Sequence, residues 1–548
     1  AAWGGHRGHA AVAVDAAAPA LRSLEIEPRQ ATLAAGGALA FLATGRYADG
    51  SARDLTRVVR WSSPGAGPGG FPPGGPPGTW VAAGPGRARV EARLGAARAE
   101  ASLEVEAHRA AAPAAFPLRV APNGRFLVDQ RGVPFRIHGE AAWSLIANLT
   151  AAEVDDYLED RRRKGFNAIL VNLVEHRYAA DPPRNRAGAA PFRTPGDLAE
   201  PDDAYFDFAV SALEAARARG FLVLLVPAYP GFGCPREPSP ENDGWSAEMW
   251  RSPPAACREY GRYVGRRFAA FDDVVWVQGG DCTPPRGSAL EACALQVMAG
   301  IREAAPGMLQ TGHWRPYSTS LDEPAFAPEM QLDAVYRYRT PHAACRQAYA
   351  RSPARPAFLI ETGYEGETID GSSPPTRKYQ WWASLGCTAG QFFGSRPGWS
   401  FGPGWRQALG SAGAQDMARL GGLLDSVPWE TLVPSGLGGA RVLVTGGSGA
   451  EGGQDEVVSA AASDGAALLA YVPPTGAGPR SLVVDLSALS GPGTARWFDP
   501  SGGGWVEVGR VPGGGRRWFT TPGRRPGGLD DWVLVITRAA EPPGRGGR

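Results

Sequence analysis

Between residues 115 and 435, short apolar runs alternate with amphipathic stretches, and this alternation restricts the fold more than any other feature of the chain. The apolar runs are Pro134–Gly139, Phe166–Asn172, Phe221–Pro227, Val274–Gly280, Met308–His313, Leu332–Tyr336, Ala357–Thr362 and Thr388–Phe393. Nearly continuous apolar runs of this length are what parallel strands covered on both faces require. Helical patterns fall between them: Thr150–Lys164, Asp203–Arg219, Ala255–Phe271, Ser288–Ala305, Thr376–Leu385 and Ala414–Leu424. Thr150-x-x-Glu153 is a capping box, and Gly220 supplies a C-terminal stop. Eight strand–helix repeats over about 300 residues predict a (β/α)₈ barrel, or TIM barrel. A doubly wound open sheet is the competing fold, but no GxGxxG turn or P-loop follows any of the strands.

The chain has 548 residues, too many for one compact core, and the rest reads as β-structure. Residues 20–107 hold short alternating segments: Leu24–Ile26, Leu33, Ala38–Ala43, Val58–Ser63, Ala88–Ala92 and Ser102–Val105. Turns are predicted at Gly36-Gly37 and Asp49-Gly50, and a long Gly/Pro loop at Pro64–Thr79. The order Ala-Gly-Gly, Phe-x-Ala-x-Gly-x-Tyr-x-Asp-Gly-Ser, Trp-Ser-Ser resembles the bacterial Ig-like group 2 domain. That resemblance implies a β-sandwich acting as a spacer or surface anchor. Residues 436–537 return to short strands at Val457–Ala461, Ala467–Val472, Leu482–Leu486, Ala495–Asp499 and Trp532–Ile536, a second β-sandwich, and Pro542–Arg548 reads as a mobile polar tail. The expected molecule is therefore multidomain, α/β plus β, with a barrel at 115–435 flanked by two β-sandwiches.

The charge and the cysteines narrow the class of function. A net charge of +1 argues against a nucleic-acid partner, which requires a clustered basic surface. No run of 18 apolar residues predicts a membrane span. The sequence starts at Ala1 with no apolar targeting segment, which reads as a trimmed export product, secreted or cell-surface and bacterial. Cys234, Cys257, Cys282, Cys293, Cys345 and Cys387 show no metal-type CxxC spacing, so no metal and no cofactor is expected. Their even number allows disulfides, and buried thiols equally, with the pairing left open.

Barrel enzymes carry their chemistry at the C-terminal ends of the strands. The fourth run ends Gln278-Gly279-Gly280-Asp281, and the seventh ends Ile360-Glu361. An acid that closes an apolar run is costly unless it is paired or used. Asp281 could instead cap a helix, and Glu361 could be a structural ion pair. Carboxylates on strands 4 and 7 face each other across the barrel mouth, the arrangement glycosidic hydrolysis needs. Glu140, Trp143, Asn172, His176, Tyr229, His313, Trp314, Tyr336 and Trp399 stand at or beyond other strand ends. Such a ring suits a sugar, because aromatic faces stack on C–H surfaces while polar groups take the hydroxyls. No paired-His metal spacing at the strand ends offers a competing chemistry.

Several stretches resemble the apiosidase-like glycoside hydrolase family. They are Gly139-Glu140-Ala141-Ala142-Trp143, Leu149-Thr150-x-x-Glu153, Lys164-Gly165-Phe166-Asn167, Asp202–Phe206, Trp276–Asp281, Thr311-Gly312-His313, Pro356–Glu361, Thr388–Phe393 and Trp429–Pro434. The following β-domain resembles the collagen-binding type usually attached to that barrel. The resemblance implies that Asp281 is the general acid/base and Glu361 the nucleophile, and that the substrate is an oligo- or polysaccharide such as apiose-bearing plant pectin. Two motifs depart from the family. Its Gly-Asp-Thr-Ala-Trp has Glu140 here in place of Asp, and its Asn-x-Tyr-Gly loop reads Glu175-His176-Arg177-Tyr178. The acid role requires Asp281 to hold a proton near neutral pH, so apolar surroundings are expected there and an ionised Glu361 opposite. The second reading is a non-catalytic glycan-binding scaffold with an inactive barrel, which would fail to bring both carboxylates into one open pocket.

Overall fold

A computed structural model of the protein describes residues 19–34, 38–65, 67–71, 77–82, 86–106, 113–237, 243–369, 375–525 and 529–538, with the pairs 2–3 and 6–7. The predicted turn at Gly36-Gly37 and the tail at 542–548 lie outside these residues. The chain divides into two compact units, one of residues 1–108 with 502–504 and the other of the remainder. No helix among the described residues is long and apolar enough to cross a membrane.

The described residues of the first unit form strands, turns and loops only. Leu21–Glu27 pairs with Leu42–Tyr47, Ala38–Ala40 with Thr79–Ala82, and Gly86–Leu94 with Ala97–Glu106. Ile26, Phe41, Trp80, Val90 and Leu103 are among its buried core. The run Ala38–Ala43 is not one strand. It breaks at the fully buried Phe41, whose N–H donates to Gly78 O at 2.9 Å, and the chain passes from one sheet to another. The predicted Pro64–Thr79 loop also contributes a two-residue strand, Gly69–Gly70.

In the second unit eight parallel strands form the barrel: β1 (Ile137–Ala141), β2 (Ala168–Asn172), β3 (Leu222–Val226), β4 (Val274–Gly279), β5 (Gln310–His313), β6 (Asp333–Tyr336), β7 (Ala357–Glu361) and β8 (Thr388–Phe393). Every residue of all eight is buried. The hydrogen-bonded order is 5-4-3-2-1-8-7-6. Between β5 and β6 the ladder gives way to a side chain. Ser320 Oγ accepts from Gly312 N at 3.2 Å and Ala334 N at 2.8 Å, and donates to Gly312 O at 2.9 Å. The first strand starts later than its apolar run. Pro134–Phe135 belongs to a separate small sheet, since a proline lacks the N–H a parallel ladder needs.

The longer helices are α1 (Ala151–Arg163), α2 (Asp203–Ala218), α3 (Pro254–Phe268), α4 (Ala289–Ala304), α5 (Pro341–Tyr349), α6 (Thr376–Gly386) and α7 (Ala412–Asp425), with short ones at Leu145–Asn148, Ser246–Arg251 and Trp405–Ala408. The Thr150/Glu153 capping box opens α1 in full. Helix α5 carries no long periodic pattern and was not legible in the sequence. All six cysteines are paired, as Cys234–Cys282, Cys257–Cys293 and Cys345–Cys387. The second bond joins α3 to α4, and the third joins α5 to the end of α6.

Among the described residues the C-terminal β-domain has nine strands: β9 (Leu432–Pro434), β10 (Val444–Gly446), β11 (Val458–Ala462), β12 (Ala467–Val472), β13 (Ser481–Asp485), β14 (Gly493–Phe498), β15 (Trp505–Val511), β16 (Arg516–Thr520) and β17 (Trp532–Arg538). They form a six-stranded sheet, β9-β11-β12-β17-β14-β15, and a three-stranded sheet, β10-β13-β16. The six-stranded sheet packs directly on α6 and α7. Trp381, Trp382, Leu385, Leu420 and Leu424 share one apolar cluster with Val458, Leu469, Tyr471, Phe498 and Val533. Trp381 stacks on Tyr471 at 5.9 Å and 6°. Beside it, Arg377 reaches Asp531 at 2.8 Å and Asp416 at 2.7 Å.

Candidate active site

The turn after β4 is built for close approach. Gly279, Gly280 and Asp281 all have positive φ, at 82°, 130° and 52°. A Cβ on Gly280 would lie 2.4 Å from the Tyr229 ring, so only glycine fits there. Asp281 is held left-handed without that freedom, and the next residue, Cys282, is tied to Cys234. Its carboxylate accepts from the Tyr336 hydroxyl at 2.6 Å and the Tyr229 hydroxyl at 3.0 Å. The Tyr338 hydroxyl lies 2.5 Å from that of Tyr336.

Glu361 ends β7, buried. Its Oε2 lies 3.1 Å from His313 Nε2. Burial pushes the Glu361 carboxyl up to about 7; Asp281 adds to the rise, and His313 opposes it. Burial alone would lower the His313 imidazole, but its contact with Glu361 prevails and the net shift is upward. His313 is wedged between Trp143, stacked at 5.5 Å, and Tyr336 at 4.5 Å. One ligand atom each of Asp281, His313 and Glu361 lie within 4.8 Å of one another. These three are the residues that could offer a metal a common site among those described. The two phenols serve Asp281, while Glu361 Oε2 and both His313 ring nitrogens are buried with no hydrogen-bond partner of good geometry among the described residues. The desolvated surroundings expected at Asp281 lie at Glu361 instead, and Asp281 meets two hydroxyl donors.

Both acids open into a cavity of about 510 Å³ lined also by Trp143, Asn172, Arg177, Tyr178, Tyr229 and Trp399. Trp143 is fixed by its indole N–H to Tyr364 Oη at 2.9 Å, and Trp399 by its indole N–H to Glu367 at 3.0 Å. The Asn172 side chain leans on Glu175, which burial pushes up to about 7 and which accepts from Ser144 Oγ at 2.7 Å.

Three predicted residues are elsewhere. Glu140 points away from the cavity and pairs with the wholly buried Arg161 of α1 at 2.9 Å, with Tyr157 Oη at 3.0 Å. Strand alternation sends its side chain outward while its neighbours face in. Trp314 is core, packed on Phe326 with its indole N–H on Ser320 O at 3.0 Å. His176 abuts Trp245 edge-on at 4.8 Å and does not line the cavity. Sequence reading missed Asp243, Tyr338 and Glu367, which do line it. Asp243 stands in a long aperiodic loop, held by Phe232 N at 2.8 Å and Tyr178 Oη at 2.9 Å. The only sequence signal was an acid in a loop beyond a barrel strand end.

A domain family described as "Apiosidase-like, catalytic domain" matches residues 121–431. One described as "Putative collagen-binding domain of a collagenase" matches residues 443–537. No curated protein matches the chain. A solved structure described as a glycoside hydrolase is 22% identical with a TM-score of 0.65, and the match covers 78% of this chain and 99% of that one. A glycoside hydrolase family 5 structure from Bacteroides vulgatus ATCC 8482 is 22% identical with a TM-score of 0.64, covering 78% and 94%. At this identity the two structures establish the barrel fold.

Proposed function

Because this chain belongs to the apiosidase-like family and is a glycosidase, we propose that it cleaves a glycosidic bond in a plant or microbial polysaccharide or its side chains, with Asp281 and Glu361 as its catalytic pair. The observation that carries the proposal is the approach of these two carboxylates, within 4.8 Å at their nearest ligand atoms, in one open cavity. That spacing supports a retaining double displacement, since inversion needs about 6.5–9.5 Å between carboxyl groups for a water. Glu361 attacks the anomeric carbon, and Asp281 protonates the departing oxygen and then deprotonates the incoming water.

At rest burial favours the protonated form of Glu361. The bound sugar displaces water, and the proton passes to Asp281 as the Tyr229 and Tyr336 hydroxyls turn. His313, charged beside Glu361, steadies the carboxylate that must attack. A ring stacks on Trp143 or Trp399, and Asn172 and Glu367 take hydroxyls. Three disulfides in one chain support a secreted or cell-surface location. The test is a hydrolysis screen over plant and bacterial glycans with Asp281→Asn as control. The expected result is release of a small sugar by the native chain alone. Retention of a glycan without any release would turn the reading to the non-catalytic binder.

A further inference from the structure

Trp518 is 69% exposed, and every other tryptophan whose burial is described is buried or half-buried. Nothing within the fold asks for this exposure. Trp518 is at the middle of β16, an edge strand of the three-stranded sheet, and its neighbour Phe519 fills the core in its place. Strand alternation sets Arg516, Trp518 and Thr520 on the outer face. Across the ladder stand Asp485, Val483 and Ser481, opposite Arg516, Trp518 and Thr520 in turn. The Ser481 and Thr520 hydroxyls lie 2.8 Å apart.

The face is thus an indole beside a valine, with a hydroxyl pair at one end and opposite charges at the other. At its charged end Asp485 stands between Arg516 and Arg441, so the cations there are partly offset. Its two apolar side chains fall far short of the roughly 800 Å² per partner that a stable dimer buries. An aromatic plane flanked by hydrogen-bonding groups matches a sugar ring, whose C–H face is apolar and whose rim is hydroxyl. We infer that this face is a carbohydrate-binding platform, separate from the barrel cavity, which holds a neutral polysaccharide chain through Trp518.

The experiment is affinity electrophoresis of the full chain in an Asp281→Asn background, so that the polysaccharide in the gel is not consumed. The probes are arabinogalactan, arabinoxylan and mixed-linkage β-glucan, with type I collagen on beads as a separate arm. The expected result is retardation by at least one polysaccharide, weakened at least tenfold by Trp518→Ala and largely kept by Trp518→Tyr. The thermal midpoint should stay unchanged, and with Asp281 restored Trp518→Ala should leave hydrolysis of a small soluble glycoside intact. Absence of retardation by all three polysaccharides, or retardation indifferent to Trp518→Ala, overturns the inference. So does Trp518-dependent capture on collagen without capture by any polysaccharide.

Discussion

Glu361 and Asp281 differ in what surrounds them, and their variants should differ accordingly. Asp281→Asn and Glu361→Gln should each cut kcat by about a thousandfold or more, read on whichever glycoside the screen identifies. Tyr336→Phe removes one donor to Asp281 and should cost about tenfold to a hundredfold in kcat with little change in KM. The pH dependence has a definite sign. Glu361 has its carboxyl raised from 4.5 to about 7, so folding favours its protonated form. Its contribution to stability is full below about 4.5 and is lost as pH rises toward 7. The thermal midpoint of the native chain should therefore fall relative to that of Glu361→Gln across this window, and parallel curves would disprove the shift. Activity should fall above about 7, as Glu361 loses the proton that must pass to Asp281. Both acids were legible in the sequence, because an acid ending an apolar strand is conspicuous. Their environments were not, since Tyr229 reaches Asp281 from a loop 52 residues before it and Tyr336 from a strand 55 residues after it.

Among the elements, α1 is fastened to β1 by a group first read as part of the sugar site. Arg161 and Glu140 are both fully buried and pair at 2.9 Å. Arg161→Ala leaves a carboxylate unpaired inside the protein and should cost about 3–5 kcal/mol, measured by denaturant unfolding. Glu140→Gln should cost less, because an amide still accepts from Tyr157 and Arg161 keeps its ion pair to Asp160 at 2.6 Å. The eight strands were legible because burial on both faces leaves a continuous apolar run, and α1 because its cap is written in Thr150 and Glu153. Glu140 misled because it follows strand residues at the right end of the barrel, and one position decides whether a side chain faces the cavity or the helices. The short α5 left no periodic trace, and its tie to α6 through Cys345–Cys387 depends on a fold that no spacing of cysteines discloses.

Over the whole molecule, the second unit spans two segments that the sequence separates at residue 436. The composition change there is real, yet α6 and α7 of the barrel meet the six-stranded sheet in a continuous apolar cluster. Cutting the chain after residue 436 would strip the cover from Trp381, Trp382 and Leu424 and leave Arg377 without Asp531. The shortened barrel should be recovered as aggregate, while the intact second unit melts in one calorimetric transition. Two separated transitions would show instead that the domains fold independently. Pairing of the three disulfides closes sequence separations of 36 to 48 residues, each worth roughly 4 kcal/mol by loop-closure entropy. Reduction should therefore lower the midpoint of that transition. The indole of Trp381 lying flat on Tyr471 carries a consequence for descent. A gene that exchanged either half with a stranger would inherit a mismatched seam, so barrel and sheet are expected to pass between genomes as a single heritable block.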